Sequence, residues 1–381
     1  MRGFQRSEFE MRCARAQLLM EEHGLSALLL TREPEVRYFT GYLTRFWESP
    51  TRPWFVVLPA AGKPISVIPS IGANLMRETW IDDIRTWSAP DLADDGVSLL
   101  AETLSEVTPL SASIGVPDGH ETFVRMPLSD FELLRKCIEG RHIAGDAGII
   151  RQLRMVKSPA EVEKIETACS IAGRAFARVP EIAGAGVSLE DIYRRFQMMC
   201  LEEGADWVAY LAGGAESGGY ADVISPATAA PLKSGDVLML DTGIVWDGYF
   251  SDFDRNWSIG PANREVDEAH KRLIDSTYAA LEVAKPGATA SDLFQAMSKV
   301  LSQDNKVYDA GRLGHGLGMS LTEWPSLIAS DHTELEAGMV LTLEPGISVG
   351  EKILVHEENI VITDGAPRLL SMPANREISV I

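Results

Sequence analysis

Acidic side chains on either side of a turn signal are the first feature of this sequence that points to chemistry. Asp241 and Asp252 flank Asp247-Gly248, which is the strongest two-residue hairpin signal in the chain. A two-residue loop at this pair places Asp241 opposite Asp254, and the alternation of side chains along a strand directs all three of these aspartates to one face. Like charges this close are destabilising unless something neutralises them. The pattern therefore has two interpretations, a solvated acidic hairpin or half of a cation site.

A second acidic hairpin follows about a hundred positions later. An apolar strand at 339–344 ends in Glu344, and after the turn signal Gly350-Glu351 a returning strand passes through Glu357. A two-residue loop of the Gly-X type places the two glutamates directly opposite each other, where they repel. Two predicted helices precede each hairpin. This repetition indicates an internal duplication with pseudo-two-fold symmetry.

A histidine in a glycine-rich segment lies between the two hairpins in the sequence. This is His315, within the GHGLG segment at 314–318, where we expect the glycines to let the backbone approach a metal or a substrate closely. A lone histidine in such a loop is more often structural, but its position between the hairpins favours the metal interpretation. Oxygen-rich sites with one imidazole suit divalent ions, for which we rank Mn²⁺ before Co²⁺ and Zn²⁺. Two ions bridged by carboxylates would lower the pKa of a water held between them.

Composition and charge limit the classes of function. The chain has 381 residues, enough for two domains, and its 45% hydrophobic and 24% charged residues are ordinary for a soluble globular protein. A net charge of −20 argues against nucleic-acid binding. We expect no membrane span and no signal peptide, since the first residues are charged. The four cysteines lack CxxC spacing, and we expect Cys13, Cys169 and Cys200 to be buried free thiols in a cytoplasmic protein.

The elements that must position these side chains alternate between helix and strand. We expect an α/β domain over 1–150 and a catalytic domain over 151–381. Strands are predicted at 25–31, 56–59, 64–70 and 112–118. Helices are predicted at 7–23, within 92–106 and 127–138, and at 158–178, 188–203, 264–284 and 290–302, with Ser158, Pro159 and Glu161 forming a capping-box start and Gly24 ending the first helix.

This pattern resembles the pita-bread metallopeptidase family, which includes aminopeptidase P, prolidase, methionine aminopeptidase and creatinase. Residues 7–42 resemble the creatinase-type N-terminal domain, and RMVKSPAEVEKI at 154–165 resembles the opening of the catalytic domain. The family's ligands are two aspartates eleven positions apart, a histidine in a GHG segment, a glutamate before Pro-Gly and a last glutamate. The resemblance assigns these roles to Asp241, Asp252, His315, Glu344 and Glu357.

The resemblance also implies a reaction. Asp241 would hold one ion, His315 and Glu344 the other, and Asp252 and Glu357 would bridge both. A hydroxide between the ions would attack a carbonyl, with Glu344 as the catalytic proton shuttle. The implied function is hydrolysis of an amide or peptide bond in a small substrate of the Xaa-Pro dipeptidase type.

The sequence departs from the family pattern at positions whose residues bind the substrate in the family. Proline-cleaving members have histidines where this chain has Ile224, Gly311 and Thr322, an arginine at the position of Val355 and a threonine at that of Asp254. Losing such donors commonly costs on the order of 10²–10³ in turnover. We therefore expect a rebuilt substrate pocket in which Thr322 and Asp254 contact the substrate.

Family members are typically homodimers in which an N-terminal loop reaches the active site of the partner. The corresponding segment is LTRFWESPTRPW at 43–54. It makes Arg45, Trp47 and Arg52 candidate substrate contacts supplied by the partner subunit. The alternative is a loop that packs its own Phe46 and Trp47.

Other functions stay open at this point. The EWP sequence at 323–325 resembles metal-dependent dimethylsulfoniopropionate lyases, but those enzymes have additional acids where this chain has Gly243 and Leu321. In a lyase, Asp254 or Glu323 would have to act as the base instead. A metal-free C–N hydrolase like creatinase and a non-catalytic binding module are further alternatives, and the presence of all five ligand types argues against both.

Overall fold

The chain forms two compact units, Met1–Arg154 and Met155–Ile381. The computed structural model describes residues 2–47, 53–302 and 311–381. None of the helices in these ranges is long and apolar enough to cross a membrane.

The N-terminal unit is built on a mixed sheet. Within the described residues its six strands run in the order β4-β3-β2-β1-β5-β6. The strands are β1 (Leu25–Leu30), β2 (Phe55–Pro59), β3 (Ile65–Pro69), β4 (Asp83–Trp87), β5 (Ser113–Val116) and β6 (His142–Gly145). The helices are α1 (Arg6–Glu22), α2 (Glu33–Thr40), α3 (Ala73–Arg77), α4 (Val97–Val107), α5 (Leu128–Cys137) and α6 (Ile149–Met155).

The predicted strands of this unit are confirmed as β1, β2, β3 and β5, which are its most buried strands. The first helix ends as expected, with Gly24 in the left-handed region at φ 66°. The sequence pattern did not identify β4 and β6, which form the two edges of the sheet. Edge strands are partly exposed, so these two lack the apolar run that marks a buried strand.

The C-terminal unit contains four long helices, counting only the described residues: α7 (Pro159–Ala177), α8 (Leu189–Glu202), α9 (Arg264–Val283) and α10 (Ala290–Leu301). Its strands are β7 (Trp207–Ser217), β8 (Asp236–Trp246), β9 (Tyr249–Phe250), β10 (Phe253–Ser258), β11 (His315–Gly316), β12 (Glu323–Ser326), β13 (Val340–Leu343), β14 (Gly346–Val349), β15 (Lys352–Val355), β16 (Glu358–Val361), β17 (Arg368–Leu369) and β18 (Ser379–Val380). One sheet has the order β18-β10-β8-β7, with β9 paired to β8. A second has the order β12-β11-β13-β16-β17, and β14 pairs with β15.

Local signals explain where the helices of this unit begin. At the start of α7 the Ser158 hydroxyl accepts the Glu161 N–H, and the Glu161 carboxylate accepts the Ser158 N–H at 2.9 Å, which completes the predicted capping box. Ser188 caps α8 in the same way through the N–H of Asp191. The pair α7 and α8 precedes the first set of strands, and α9 and α10 precede the second, so the order of elements repeats as the sequence indicates.

The cysteines agree with the sequence prediction. All four are free thiols. Cys13, Cys169 and Cys200 are buried in helices α1, α7 and α8, and Cys137 is exposed.

Candidate metal centre

The first acidic hairpin has the predicted register. Trp246 pairs with Tyr249 around a turn in which Asp247 (φ 49°) and Gly248 (φ 81°) both have positive φ, as a type I′ turn requires. Asp241 lies directly opposite Asp254. The returning chain forms two strands, β9 and β10, and the gap between them contains Asp252.

The second hairpin also has the predicted register but is made of shorter strands. Gly346 pairs with Val355 and Leu343 with Glu358, the register that a loop at Gly350-Glu351 dictates. The strand expected at 339–344 is β13, and after Glu344 the chain continues as a further strand, β14. The returning strand expected at 352–363 is divided into β15 and β16, so the expectation of one continuous strand there is wrong. The chain leaves one sheet and enters another at each of these breaks. Glu344 lies at one break and Glu357 at the other.

The five predicted ligands converge in space. Asp241, Asp252 and Glu357 each place a carboxylate oxygen within 4.8 Å of the others. His315 Nε2 lies 3.0 Å from Glu344 Oε1 and 3.5 Å from Asp252 Oδ2. Asp252 is thus close to both groups of side chains and joins them into one site.

His315 is oriented by its surroundings so that Nε2 faces the carboxylates. Its Nδ1 lies 2.8 Å from the Gly316 carbonyl oxygen, which can only accept, so the ring proton is on Nδ1. The Thr342 hydroxyl accepts the His315 N–H at 2.9 Å and donates to the Glu344 carboxylate. Nε2 is then the ring nitrogen that faces the two carboxylates, and it is the atom that would bind a cation held between them.

The glycines around His315 serve strand packing. A Cβ on Gly316 would lie 1.9 Å from the Trp324 carbonyl oxygen, and one on Gly314 would lie 2.3 Å from that of Thr342. We expected these glycines to bring the backbone close to a metal or substrate. That expectation stays a prediction. In the structure Gly314 and Gly316 let β11 lie close to its neighbours β12 and β13, and so fix the position of His315 between them.

Electrostatics favour a bound cation at this site. Burial, followed by repulsion from neighbouring acids, raises the pKa of Asp241, Asp252 and Glu357 well above their ordinary values. Burial also raises the pKa of Glu344, but His315 and Thr342 outweigh it and hold this pKa below its ordinary value. Asp241 Oδ1 and Glu357 Oε1 are buried and have no hydrogen-bond partner among the residues that the structure describes. Buried oxygens without donors and an imidazole lone pair are a donor set that fits divalent metal ions.

One residue at this site was not identified from the sequence. Tyr210, on β7 opposite Gly243, forms a side-chain hydrogen bond with Asp241. Burial, and then the charges of Asp241 and Asp252, raise its phenol pKa. The strand β7 itself was not predicted, since Gly213 and Gly214 interrupt its alternation. The tyrosine before these glycines is the signal that would have located it.

The predicted substrate contacts of the catalytic unit have different environments. Thr322 is half-buried in the bend before β12, and Ile224 is 81% exposed. Asp254 is buried, and its Oδ1 accepts the Glu357 N–H at 3.1 Å. Glu323 is buried and binds the Lys157 ammonium at 3.1 Å and the Ser320 N–H at 3.0 Å, so it is fully engaged within the protein.

Arg45 and Trp47 lie in the N-terminal unit. Arg45 is exposed. Trp47 is half-buried, its ring lies 5.9 Å from that of Trp54, and its carbonyl oxygen accepts Arg125 Nη2 at 2.8 Å. The start of the predicted loop therefore packs on its own unit, and Arg52 lies outside the described residues.

Comparisons with known proteins agree with this organisation. The family model of metallopeptidase family M24 matches residues 163–364, and that of the creatinase/prolidase N-terminal domain matches residues 12–156. A probable dipeptidase PepE from Mycobacterium tuberculosis is 28% identical over 378 residues, covering 98% of this chain and 97% of the relative. An Xaa-Pro dipeptidase from Pyrococcus horikoshii is 25% identical over 361 residues, covering 92% and 94%. The crystal structure of dipeptidase PepE from Mycobacterium ulcerans superposes with a TM-score of 0.85 at 28% identity, covering 99% of each chain.

The M24 match covers more than half of the chain, and the relatives are matched over nearly their full length. The mixed α/β fold with a creatinase-type N-terminal domain is confirmed by these matches. The chain belongs to metallopeptidase family M24 and is a hydrolase of that family.

Proposed function

We propose that this protein is a dipeptidase that uses two divalent metal ions to hydrolyse the amide bond of a small substrate of the Xaa-Pro type. The convergence of Asp241, Asp252, His315, Glu344 and Glu357 carries this proposal, together with two buried carboxylate oxygens that lack donors within the described part of the chain. Asp241 would hold one ion, His315 and Glu344 the other, and Asp252 and Glu357 both. Mn²⁺ is our first choice of ion, and Co²⁺ and Zn²⁺ are alternatives.

The exposure of the acids supports their division of roles. When bound, the ions would polarise the substrate carbonyl and lower the pKa of water. The Glu344 side chain is 26% exposed, whereas that of Asp252 is 6% exposed, so Glu344 is the more accessible of these two acids to water. Its lowered pKa keeps it ionised at neutral pH, and the Thr342 hydroxyl holds one of its oxygens. Glu344 is therefore the residue that would accept and return the proton.

Substrate recognition would differ from that of ordinary proline-cleaving enzymes. The exposed aliphatic side chain of Ile224 and the bare backbone of Gly311 replace imidazole donors. Thr322 offers a hydroxyl at the third position. The names of the relatives, dipeptidase PepE and Xaa-Pro dipeptidase, support a dipeptide as substrate. We place the enzyme in the cytoplasm, because free buried thiols suit a reducing compartment.

The lyase alternative receives no support from the relatives. At the two positions where those lyases have additional acids, this chain has Gly243 and Leu321. A Cβ on Gly243 would lie 2.4 Å from Leu321 Cδ1, so the leucine occupies the space beside the glycine. Glu323, one of the two candidate bases, is bound to Lys157.

Metal content and substrate class are tested together. We expect apo protein to take up two ions of Mn²⁺, Co²⁺ or Zn²⁺ per chain, measured by elemental analysis, and the loaded protein to cleave dipeptides in a panel that includes Xaa-Pro dipeptides, other dipeptides, small amides and dimethylsulfoniopropionate. No metal uptake would overturn the metal-dependent proposal. Cleavage of dimethylsulfoniopropionate alone would favour the lyase.

Single substitutions test the ligand assignment. Asp252→Ala and Glu357→Ala should each abolish binding of both ions, because each residue would bridge them, whereas His315→Ala should remove one. Asp236→Asn is a matched control, since Asp236 is a buried acid on the same strand as Asp241 that binds the Lys233 N–H. It should keep both ions. Full metal content in Asp252→Ala would show that the bridging assignment is wrong.

A further inference from the structure

Two side chains connect the hairpins reciprocally at the residues proposed to bridge the ions. Asp254 Oδ1, from the first hairpin, accepts the backbone N–H of Glu357 at 3.1 Å. Asn359 Oδ1, from the second hairpin, accepts the backbone N–H of Asp252 at 3.0 Å, and its Nδ2 donates to the Asp252 carbonyl oxygen. Each of these side chains lies two positions after one bridging residue and binds the backbone of the other. We call these contacts the cross-hairpin bonds.

The position of the two bridging residues explains why such bonds are needed. Asp252 lies in the gap between β9 and β10, and Glu357 in the gap between β15 and β16. Neither N–H is bonded by a strand ladder, and a buried N–H without an acceptor is costly. The cross-hairpin bonds supply these acceptors and join the two halves of the unit where the carboxylates face each other.

The residues that form these bonds are themselves held rigidly. Asn359 is fully buried, its Oδ1 also accepts the Cys169 thiol at 3.2 Å, and its N–H donates to the Ser371 hydroxyl at 2.9 Å. Asp254 is 1% exposed and lies beside His356, with 3.7 Å between Oδ1 and Nδ1. A side chain with so little conformational freedom fixes the position of the backbone group to which it is hydrogen-bonded.

Asp254 supports the site without belonging to the ligand set that the geometry defines. The three carboxylates within 4.8 Å of one another are those of Asp241, Asp252 and Glu357. Asp254 Oδ1 instead accepts the backbone N–H of Glu357. This contact gives a role to the acid that stands where related enzymes usually have threonine.

We propose that Asp254 and Asn359 are positioning residues that fix the bridging carboxylates of Glu357 and Asp252 relative to each other. The proposal rests on the proposed two-ion function. Because each bridging carboxylate would contact both ions, loss of either cross-hairpin bond should weaken the binding of both. Removal of His315, by contrast, should affect one ion only.

The test measures Mn²⁺ affinity and thermal stability of the apo protein for wild type and variants. Asp254→Ala and Asn359→Ala should each weaken both Mn²⁺ ions by about 10–100-fold, the range found for residues that orient ligands. Asp254→Asn keeps an amide oxygen that can accept the Glu357 N–H, so it should recover most of the affinity. A purely structural role would lower the melting temperature and leave the affinity of the folded protein unchanged.

A matched control is available on the same strand. Asn256 is buried and also reaches the second hairpin, since its Nδ2 donates to the Val355 carbonyl oxygen at 2.8 Å, but it binds no proposed ligand residue. Asn256→Ala should lower the melting temperature and keep Mn²⁺ affinity. Wild-type affinity in folded Asp254→Ala and Asn359→Ala, or an equal loss in Asn256→Ala, would overturn the proposal.

Two further measurements separate the possible failures. If alanine prevents folding, Asn359→Asp still removes the donor to the Asp252 carbonyl oxygen while keeping an acceptor, and wild-type affinity in this variant would also overturn the proposal. If wild-type apo protein takes up no Mn²⁺, the proposed function itself is wrong. Uptake by wild type together with unchanged affinity in the variants refutes only the positioning role.

Discussion

At the scale of single residues, the site is a cluster of buried acids whose charges repel one another. Asp241, Asp252 and Glu357 have raised pKa values because burial and mutual repulsion both disfavour their charged forms. Glu358, directly beside them, has the opposite behaviour. Burial raises its pKa, but Arg255 and His356 outweigh it and lower the pKa to about 2. Cations of the protein therefore hold Glu358 ionised, whereas the three clustered carboxylates keep raised pKa values, Asp252 even with the charge of Arg312 acting on it. A bound metal ion would favour the charged forms of these three acids.

This difference predicts how pH affects the stabilisation by metal. An unfolded chain releases carboxyl protons near their ordinary pKa of about 4, whereas the folded apo protein retains protons on the three clustered acids to higher pH. The folded state binds more protons, so the stability contributed by these groups is complete below the ordinary pKa and is lost as pH rises through the raised values. Bound Mn²⁺ removes this loss. We expect the melting-temperature difference between Mn²⁺-loaded and apo protein to increase from about pH 5 to about pH 8.

A variant with one fewer acid provides the control for this prediction. Asp241→Asn removes one charge from the cluster and should make the apo protein less sensitive to rising pH. Glu358, whose pKa is lowered, makes a contribution of the opposite sign to the pH dependence of stability, and at lower pH. It does so in both the apo and the Mn²⁺-loaded protein, so it cancels in the melting-temperature difference between them. A melting-temperature difference that stays constant with pH would contradict the prediction.

Much of the site could be predicted at this scale, and the reason is physical. The spacing of Asp241 and Asp252 around a turn signal, and of Glu344 and Glu357 around another, fixes which side chains face each other. Contacts that depend on tertiary packing leave no such pattern. Asn359 lies more than a hundred positions from the backbone group that it binds, and nothing in its local sequence indicates that bond.

At the scale of elements, the close approach of three short strands positions His315, the proposed histidine ligand. The strand β11 lies between β12 and β13, and Gly314 and Gly316 are the residues that allow this. The sequence predicted the registers of both hairpins correctly, because two-residue loops dictate them. It did not predict the breaks within the hairpin strands, because a chain that passes from one sheet to another keeps the same apolar alternation on both sides of the break.

Substitution of Gly316 tests this role of strand packing. A Cβ at this position would lie 1.9 Å from a backbone carbonyl oxygen, an atom that cannot move aside as a flexible side chain can. We expect Gly316→Ala to lower the free energy of unfolding by about 1–3 kcal/mol or more, as overpacking does, and to reduce the affinity for the ion that His315 would hold. Chemical denaturation and Mn²⁺ titration measure the two effects.

Gly184 provides the matched control for that substitution. A Cβ on Gly184 would meet nothing within 4 Å, and its φ is not in the left-handed region. Gly184→Ala should therefore leave both stability and Mn²⁺ binding close to wild type. Equal behaviour of the two alanine variants would show that the contact between β11 and β12 does not position the histidine.

At the scale of the whole molecule, all five proposed metal ligands belong to the unit Met155–Ile381, which leaves the role of the N-terminal unit to be explained. The catalytic unit departs from the family pattern at Ile224, Gly311, Thr322 and Val355, positions to which the resemblance assigns substrate binding. A dipeptide carries a carboxylate, and an arginine is the side chain best suited to bind it. We propose that the enzyme is a homodimer in which exposed Arg45, with Trp47 beside it, contacts the substrate in the site of the partner. Subunit arrangement depends on complementary surfaces between copies, which leave no periodic signal in one sequence.

Mixing two variants with different defects tests this proposal of a shared site. Arg45→Ala should raise KM while metal content stays complete, and Asp252→Ala should have no metal and no activity. A heterodimer of the two has one site with intact ligands that faces the intact Arg45 of the other subunit. If the loop acts on the partner, unfolding and refolding the mixture should restore wild-type KM in part of the population. If Arg45 instead acts on the site of its own chain, every site with intact ligands lacks the arginine, and the mixture should keep the raised KM.

Trp47→Ala is a second loop variant. Its melting temperature is measured first, because the Trp47 ring packs against Trp54 and its loss can lower stability. Unchanged kinetics in both Arg45→Ala and Trp47→Ala would remove the loop from substrate binding altogether.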